Sequence, residues 1–159
     1  EDANPFYPYC SEECRGKINK KKTVFIAHPV AGDIAGNIKK ILKICAEVHT
    51  KEIIPVAPYL VSLQYLDDTI AEDRLLGMEA NHECFHRRYI DELWLFGDRI
   101  SEGVKGEVKL ALQYGIPVIP KTAGTQCDLQ KLIGKLPRKR KLPIAAEAKA
   151  YFANAAKKL

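Results

Sequence analysis

Residues 89–120 constrain the chain more than any other stretch. The apolar run Leu93-Trp-Leu-Phe96 ends at Gly97, a loop carrying Ser101, Gly103 and Gly106 follows, and Val108, Leu110 and Ala111 lead to Gly115 and a second apolar run at 116–119. Two short apolar runs joined through a helical stretch form a βαβ unit, whose strands are parallel and need cover on both faces. Gly115 is a normal helix terminator. Ligands of open parallel sheets bind outside the carboxyl ends of the strands. The loop at 97–106 is therefore a candidate site, and Glu107 at its exit is a candidate reactive carboxylate.

The rest of the chain follows the same pattern. Residues 23–27 form a β-prone run, and a Gly-rich loop from His28 to Asn37 follows it. Over 37–49, Ile38, Ile41, Leu42, Cys45 and Val48 recur at helical spacing, opposite Lys39, Lys40 and Lys43. A second strand is expected at 52–57, closed by Pro58, with a mixed segment at 59–66. Residues 67–88 read as helical, in two pieces broken near Gly77 or Asn81. Strands are expected at 92–96 and 116–119, a helix at 107–114, and a single helical turn around Leu129. Pro143 can open a C-terminal helix, since proline is tolerated in a first turn.

These elements predict a single-domain, Rossmann-like α/β fold. Its mostly parallel sheet has four or five strands, with helices on both faces and a further C-terminal helix. Residues 1–22 read as an irregular N-terminal arm, 23–134 as the α/β domain, and 135–159 as a basic linker and C-terminal helix. At 159 residues and 47% hydrophobic, the chain has enough apolar mass for one core and shows no compositional break that would divide it.

Composition also narrows the function. No apolar run is long enough for a membrane span, and the polar start lacks signal-peptide order, so a cytoplasmic protein is expected, with a processed or trimmed start. Cys10, Cys14, Cys45, Cys84 and Cys127 are odd in number and scattered, which fits reduced thiols. No metal site or cofactor is expected. His82, Cys84 and His86 alternate and would share a face only on a strand, whereas their context is helical. The net charge of +5 collects at 17–22 and 137–141. Neither run interleaves aromatics, so each reads as a solvated flank and nucleic acid is not the expected partner. Positive charge near a crevice would favour an anionic small molecule.

Several residues have both a functional and a structural reading. Gly32, Asp33 and Asn37 can cradle a ribose or phosphate, because small residues admit a ligand and helix-start amides attract anions, but many βα loops are Gly-rich for turn geometry alone. Ser101, Gly103 and Val104 form the second half of that cradle. Glu107 is expected at a helix start, where the dipole favours its ionised form, and a helix-start Glu without catalytic work would look the same. His28 can bond a base or ribose hydroxyl, or simply pack its loop. Asp91 can support chemistry or satisfy backbone at a strand head. Arg74 and Arg99 are candidate anion contacts, and Trp94 is a core candidate.

The opening strand and loop, Phe25-Ile-Ala-His-Pro-Val-Ala-Gly32, and the set of Asp91, Ser101-x-Gly-Val-x-x-Glu107 and a helix before Ile-Pro-Val together resemble the nucleoside 2-deoxyribosyltransferase-like superfamily. The resemblance spans roughly 23–120 and includes the deoxynucleoside monophosphate N-glycosidases. It implies that Glu107 is a nucleophile attacking C1′ of a nucleoside or nucleotide, that Ser101 helps bind a 5′-phosphate, and that Glu83 and Asp91 support Glu107. It also implies a homodimer or higher homo-oligomer.

The chain departs from the family at three points. Phe25 stands where the family usually has Tyr, Glu83 stands where it has Asp, and the first Gly loop lacks an Arg. The expected function is N-glycosidic hydrolysis or transfer on a nucleoside, nucleotide or ADP-ribose-like compound. The alternative is a non-catalytic protein that binds or sequesters a nucleotide signal in the same crevice. A third reading, association with nucleic acid through 137–141, would show itself as steep salt dependence.

Overall fold

A computed structural model describes residues 21–135. The chain runs β1 (Lys22–Ala27), α1 (Ile34–Val48), β2 (Ile53–Val56), α2 (Tyr59–Ser62), α3 (Ala71–His86), β3 (Glu92–Leu95), α4 (Glu102–Gln113), β4 (Val118–Pro120) and α5 (Ala123–Lys135). The four strands are all parallel and lie in the order β2-β1-β3-β4. From β1 the chain moves outward to β2, then returns across β1 to lay down β3 and β4. Right-handed crossovers in opposite directions put helices on both faces of the sheet. The reversal leaves a switch point between β1 and β3, where the following loops diverge and a crevice opens.

The core is built on the two central strands. Val24, Phe25, Ile26 and Ala27 of β1 are fully buried, as are Leu93 and Leu95 of β3. Phe25 lies between Tyr59 and Phe85, with ring centroids 6.1 and 5.1 Å away. Ile41 of α1, Val108 and Ala111 of α4, and Leu129 of α5 join the cluster.

Several elements differ from the sequence expectation, among them α4, which begins at Glu102 rather than Glu107. Helix α1 begins three residues early because Asp33 caps it, its carboxylate accepting from the Gly36 amide at 2.9 Å. Helix α3 is continuous through Gly77 and Asn81. A Cβ at Gly77 would sit 3.5 Å from Ser62 Oγ, so the glycine lies against α2 rather than breaking its helix. Helix α5 extends over 13 residues instead of one turn, docked through buried Leu129 and the fully buried Thr125. The N-terminal arm through residue 20, the basic linker from residue 136 and the helix expected from Pro143 lie outside the described residues.

Candidate functional site

The loops after β1 and β3 meet because two glycines let backbone pass where a side chain would block it. Gly97 has φ +94, and a Cβ there would fall 2.9 Å from Pro29 Cδ, so the β3 loop lies directly against the His28-Pro29 turn. Gly124 opens α5 beneath the same loop, where a Cβ would come 1.9 Å from the Asp98 carbonyl oxygen. Helix α5 and Thr122 just before it hold the loop at two further points. Thr122 Oγ1 donates to the Gly97 carbonyl at 2.6 Å, and Asp128 accepts from the Ile100 amide at 3.1 Å. Ser101 is thereby fixed as the N-cap of α4, its Oγ accepting from the Val104 amide at 3.4 Å.

A cavity of about 250 Å³ opens at this switch point. The β1 loop contributes His28, Val30 and Ala31, and α4 with its cap contributes Ser101, Gly103, Val104 and Glu107. The facing wall comes from α2 and α3, with Tyr59, Ser62, Arg74, Asn81 and His82. His28 Nδ1 lies 2.7 Å from the Pro29 carbonyl. A carbonyl only accepts, so Nδ1 carries the proton and Nε2 is left as an acceptor in the neutral ring. Tyr59 donates its hydroxyl to the Ile26 carbonyl at 2.7 Å, tying α2 to β1. Arg74 pairs with Asp68 at 2.8 Å. Burial, followed by the nearby His86, lowers the His82 pKa and favours its neutral form.

Glu107 is the chemical centre of the cavity. The residue as a whole keeps partial exposure, but Oε2 is buried and accepts no hydrogen bond. Helix α4 starts at Glu102, which places Glu107 in the second turn rather than at the helix start. The helix dipole decays within the first turn, so it does little for this carboxylate. Desolvation governs instead and pushes the Glu107 pKa up to about 8. Burial raises the Tyr59 pKa most, followed by the nearby Glu107 and Cys45.

Of the residues singled out in the sequence, His28, Ser101, Gly103, Val104 and Glu107 come together in this cavity. Arg74 also lines it, paired with Asp68, and the remaining residues do not join them. Gly32 (φ +95) shapes the turn, Asp33 caps α1, and Asn37 Nδ2 donates to the Val30 and Ala31 carbonyls at 3.0 and 3.4 Å. All three organise the loop from outside the cavity. Glu83 lies on the exposed side of α3, paired with Arg87 at 2.7 Å. Asp91 lies at the foot of the sheet, where its carboxylate accepts from the Thr23 amide at 2.8 Å and hydroxyl at 3.0 Å. Neither Glu83 nor Asp91 reaches Glu107 as expected. Phe25 is core, not cavity wall, and Arg99 is exposed away from it.

The sequence reading missed Tyr59, Ser62, Asn81 and His82. The available signal was the Asn81-His82 pair interrupting an otherwise helical apolar pattern, which marks a helix face turned toward a polar crevice. Among the described residues, no helix is long and apolar enough to cross a membrane. Nor do any three or more His, Cys, Asp or Glu side chains group in a way that could hold a metal ion.

Fold and cavity together define a doubly wound α/β domain with its candidate ligand site at the β1/β3 switch point. The chain belongs to the family described as a domain of unknown function, DUF7768, whose family model matches residues 22–121. That span holds every cavity residue and ends just before α5. No curated protein and no solved structure matches the chain.

Proposed function

We propose that the switch-point cavity binds a nucleoside or nucleotide and that Glu107 cleaves or transfers its N-glycosidic bond. The observation that carries this reading is an enclosed carboxyl with an unpaired Oε2, in the wall of a cavity at the ligand-binding end of the sheet. At about 250 Å³ the cavity is just below the usual small-molecule range of roughly 300–1,000 Å³, which favours a mononucleoside-sized ligand over one as large as ADP-ribose. Ser101 and the amides of the first α4 turn offer a phosphate seat at the mouth.

In the reaction, ionised Glu107 attacks C1′. The C1′–N bond breaks, its electron pair leaves with the base, and the base takes a proton from solvent. Negative charge beside C1′ stabilises the oxocarbenium-like transition state. Water then adds to C1′ as the glycosyl–carboxylate bond breaks and releases a proton to solvent, giving the free sugar and restoring the Glu107 carboxylate. A second base in place of water gives transfer. Glu83 and Asp91 take no part in this scheme.

One observation supports the non-catalytic alternative. A carboxyl that ionises near pH 8 is mostly protonated at neutral pH, where it serves as a hydrogen-bond donor rather than a nucleophile. Incubation with nucleosides, nucleotides and NAD-like compounds, followed by chromatography of products and of bound ligand, separates the two readings. Free base and sugar support the glycosidase, intact ligand retained by the protein supports sequestering, and neither outcome on a broad panel overturns both. The homo-oligomer implied by the resemblance has candidate contact residues in the exposed Val61, Tyr65, Ile70 and Leu76, and sedimentation tests it.

A further inference from the structure

Asn81 is a cavity residue whose chemistry the proposed reaction leaves unused. It is only 9% exposed, and its Oδ1 is buried without a hydrogen-bond partner. Three polar neighbours on the same wall are otherwise engaged. Ser62 donates to the Tyr59 carbonyl at 3.1 Å, Tyr59 donates to the Ile26 carbonyl, and Arg74 pairs with Asp68. An unpaired buried amide oxygen is a net cost to the fold, and an aliphatic side chain of similar size would avoid it. Asn81 therefore contributes nothing evident to stability through that atom, while the residue lines an open cavity.

We propose that Asn81 is a specificity residue whose Oδ1 accepts a hydrogen bond from an N–H or O–H group of the ligand. The cavity then selects nucleotides that carry a donor at that point over those that carry an acceptor or a C–H. This rests on reading the cavity as a nucleotide site. The donor can be an exocyclic amine of the base or a sugar hydroxyl, and matched ligand pairs distinguish the two. Cytidine against uridine monophosphate, and adenosine against inosine monophosphate, exchange an amine for a carbonyl. Each ribonucleotide against its 2′-deoxy form exchanges a hydroxyl for hydrogen.

The test is thermal melting of the full chain over a concentration series of each ligand, for wild type, Asn81→Leu and Asn81→Asp. Wild type is expected to bind the donor-bearing member of at least one kind of pair roughly five- to tenfold more tightly, the worth of one neutral hydrogen bond. Asn81→Leu should lose that preference while melting, without ligand, at or above the wild-type temperature. Asn81→Asp keeps an acceptor and should keep the preference. A wild type with no preference in any pair, or a preference that survives in Asn81→Leu, overturns the proposal. So does equal weakening of all ligands with a lowered unliganded melting temperature, which would mark a structural role. If wild type binds none of these nucleotides, the nucleotide reading of the cavity fails first and this inference falls with it.

Discussion

The two ends of the sheet carry similar acidic groups in opposite states. At the foot, Asp91 accepts two hydrogen bonds from Thr23, and Glu92 accepts from Lys22 at 2.5 Å and from the Trp94 indole at 2.7 Å. At the head, Glu107 Oε2 and Asn81 Oδ1 are buried with no partner. Burial pushes both glutamates upward. For Glu92 it is the largest single influence, yet the Lys22 and Trp94 hydrogen bonds and the Lys22 and Lys121 charges together outweigh it and hold the carboxyl below its ordinary value. Glu107 has no such partners and rises to about 8. Asp91 and Glu92 are satisfied within the fold, whereas Glu107 and Asn81 are left open at a cost in stability, as groups awaiting a ligand would be.

The largest expected effect that tests this contrast is on stability as a function of pH. The folded chain holds the Glu107 proton up to about pH 8, whereas an unfolded glutamate releases it near its ordinary value of 4.5. The contribution is therefore complete below 4.5, declines as pH rises toward 8 by at most roughly 1.4 kcal/mol per pH unit, and changes no further above that. Glu107→Gln does not titrate. Urea denaturation should show the variant gaining on wild type between these limits, with the largest margin near pH 8. Parallel pH profiles for the two proteins would mean that the carboxyl is not desolvated.

Asp91→Ala should have the next largest effect, at the other end. It strands the buried side of a strand head and should lower stability by about 1–3 kcal/mol, read by urea denaturation, with nucleotide binding unchanged. A loss of turnover without loss of stability would return Asp91 to the site. The smallest change is expected for Ser101→Ala, which removes the α4 cap at a cost of about 1 kcal/mol. Calorimetric titration should show it weakening phosphorylated ligands more than their nucleosides.

The fold was legible because parallel, buried strands show as continuous apolar runs and their loops as glycine clusters. The two glycine loops, far apart in sequence, do meet at one crevice, and His28, Arg74, Ser101, Gly103, Val104 and Glu107 line it. The misses have local causes. Asp33 and Asn37 belong to a stretch whose composition suits a ligand and a local turn equally; Asp33 caps α1, and Asn37 donates back to the Val30 and Ala31 carbonyls. Glu83 follows Asn81 by two positions, a turn of roughly 200° on an α-helix, so one faces the cavity and the other faces solvent. Placing that cavity-facing side requires knowing which face of α3 meets α2. Helix α5 was underread because its stability comes from docking Leu129 and Thr125, not from its own pattern. The Glu107 environment was misread for a related reason: Ser101, not a residue near Glu107, begins α4, which exchanges a dipole effect for desolvation.

The most direct test of the account is turnover by wild type and Glu107→Gln, followed by chromatography of free base and sugar across pH 6–9. The account predicts that wild-type kcat/KM rises with pH through about 8 as Glu107 ionises, and that Glu107→Gln binds ligand but yields no product at any pH. A Glu107→Gln protein that turns over at the wild-type rate would contradict the assignment of Glu107 as nucleophile.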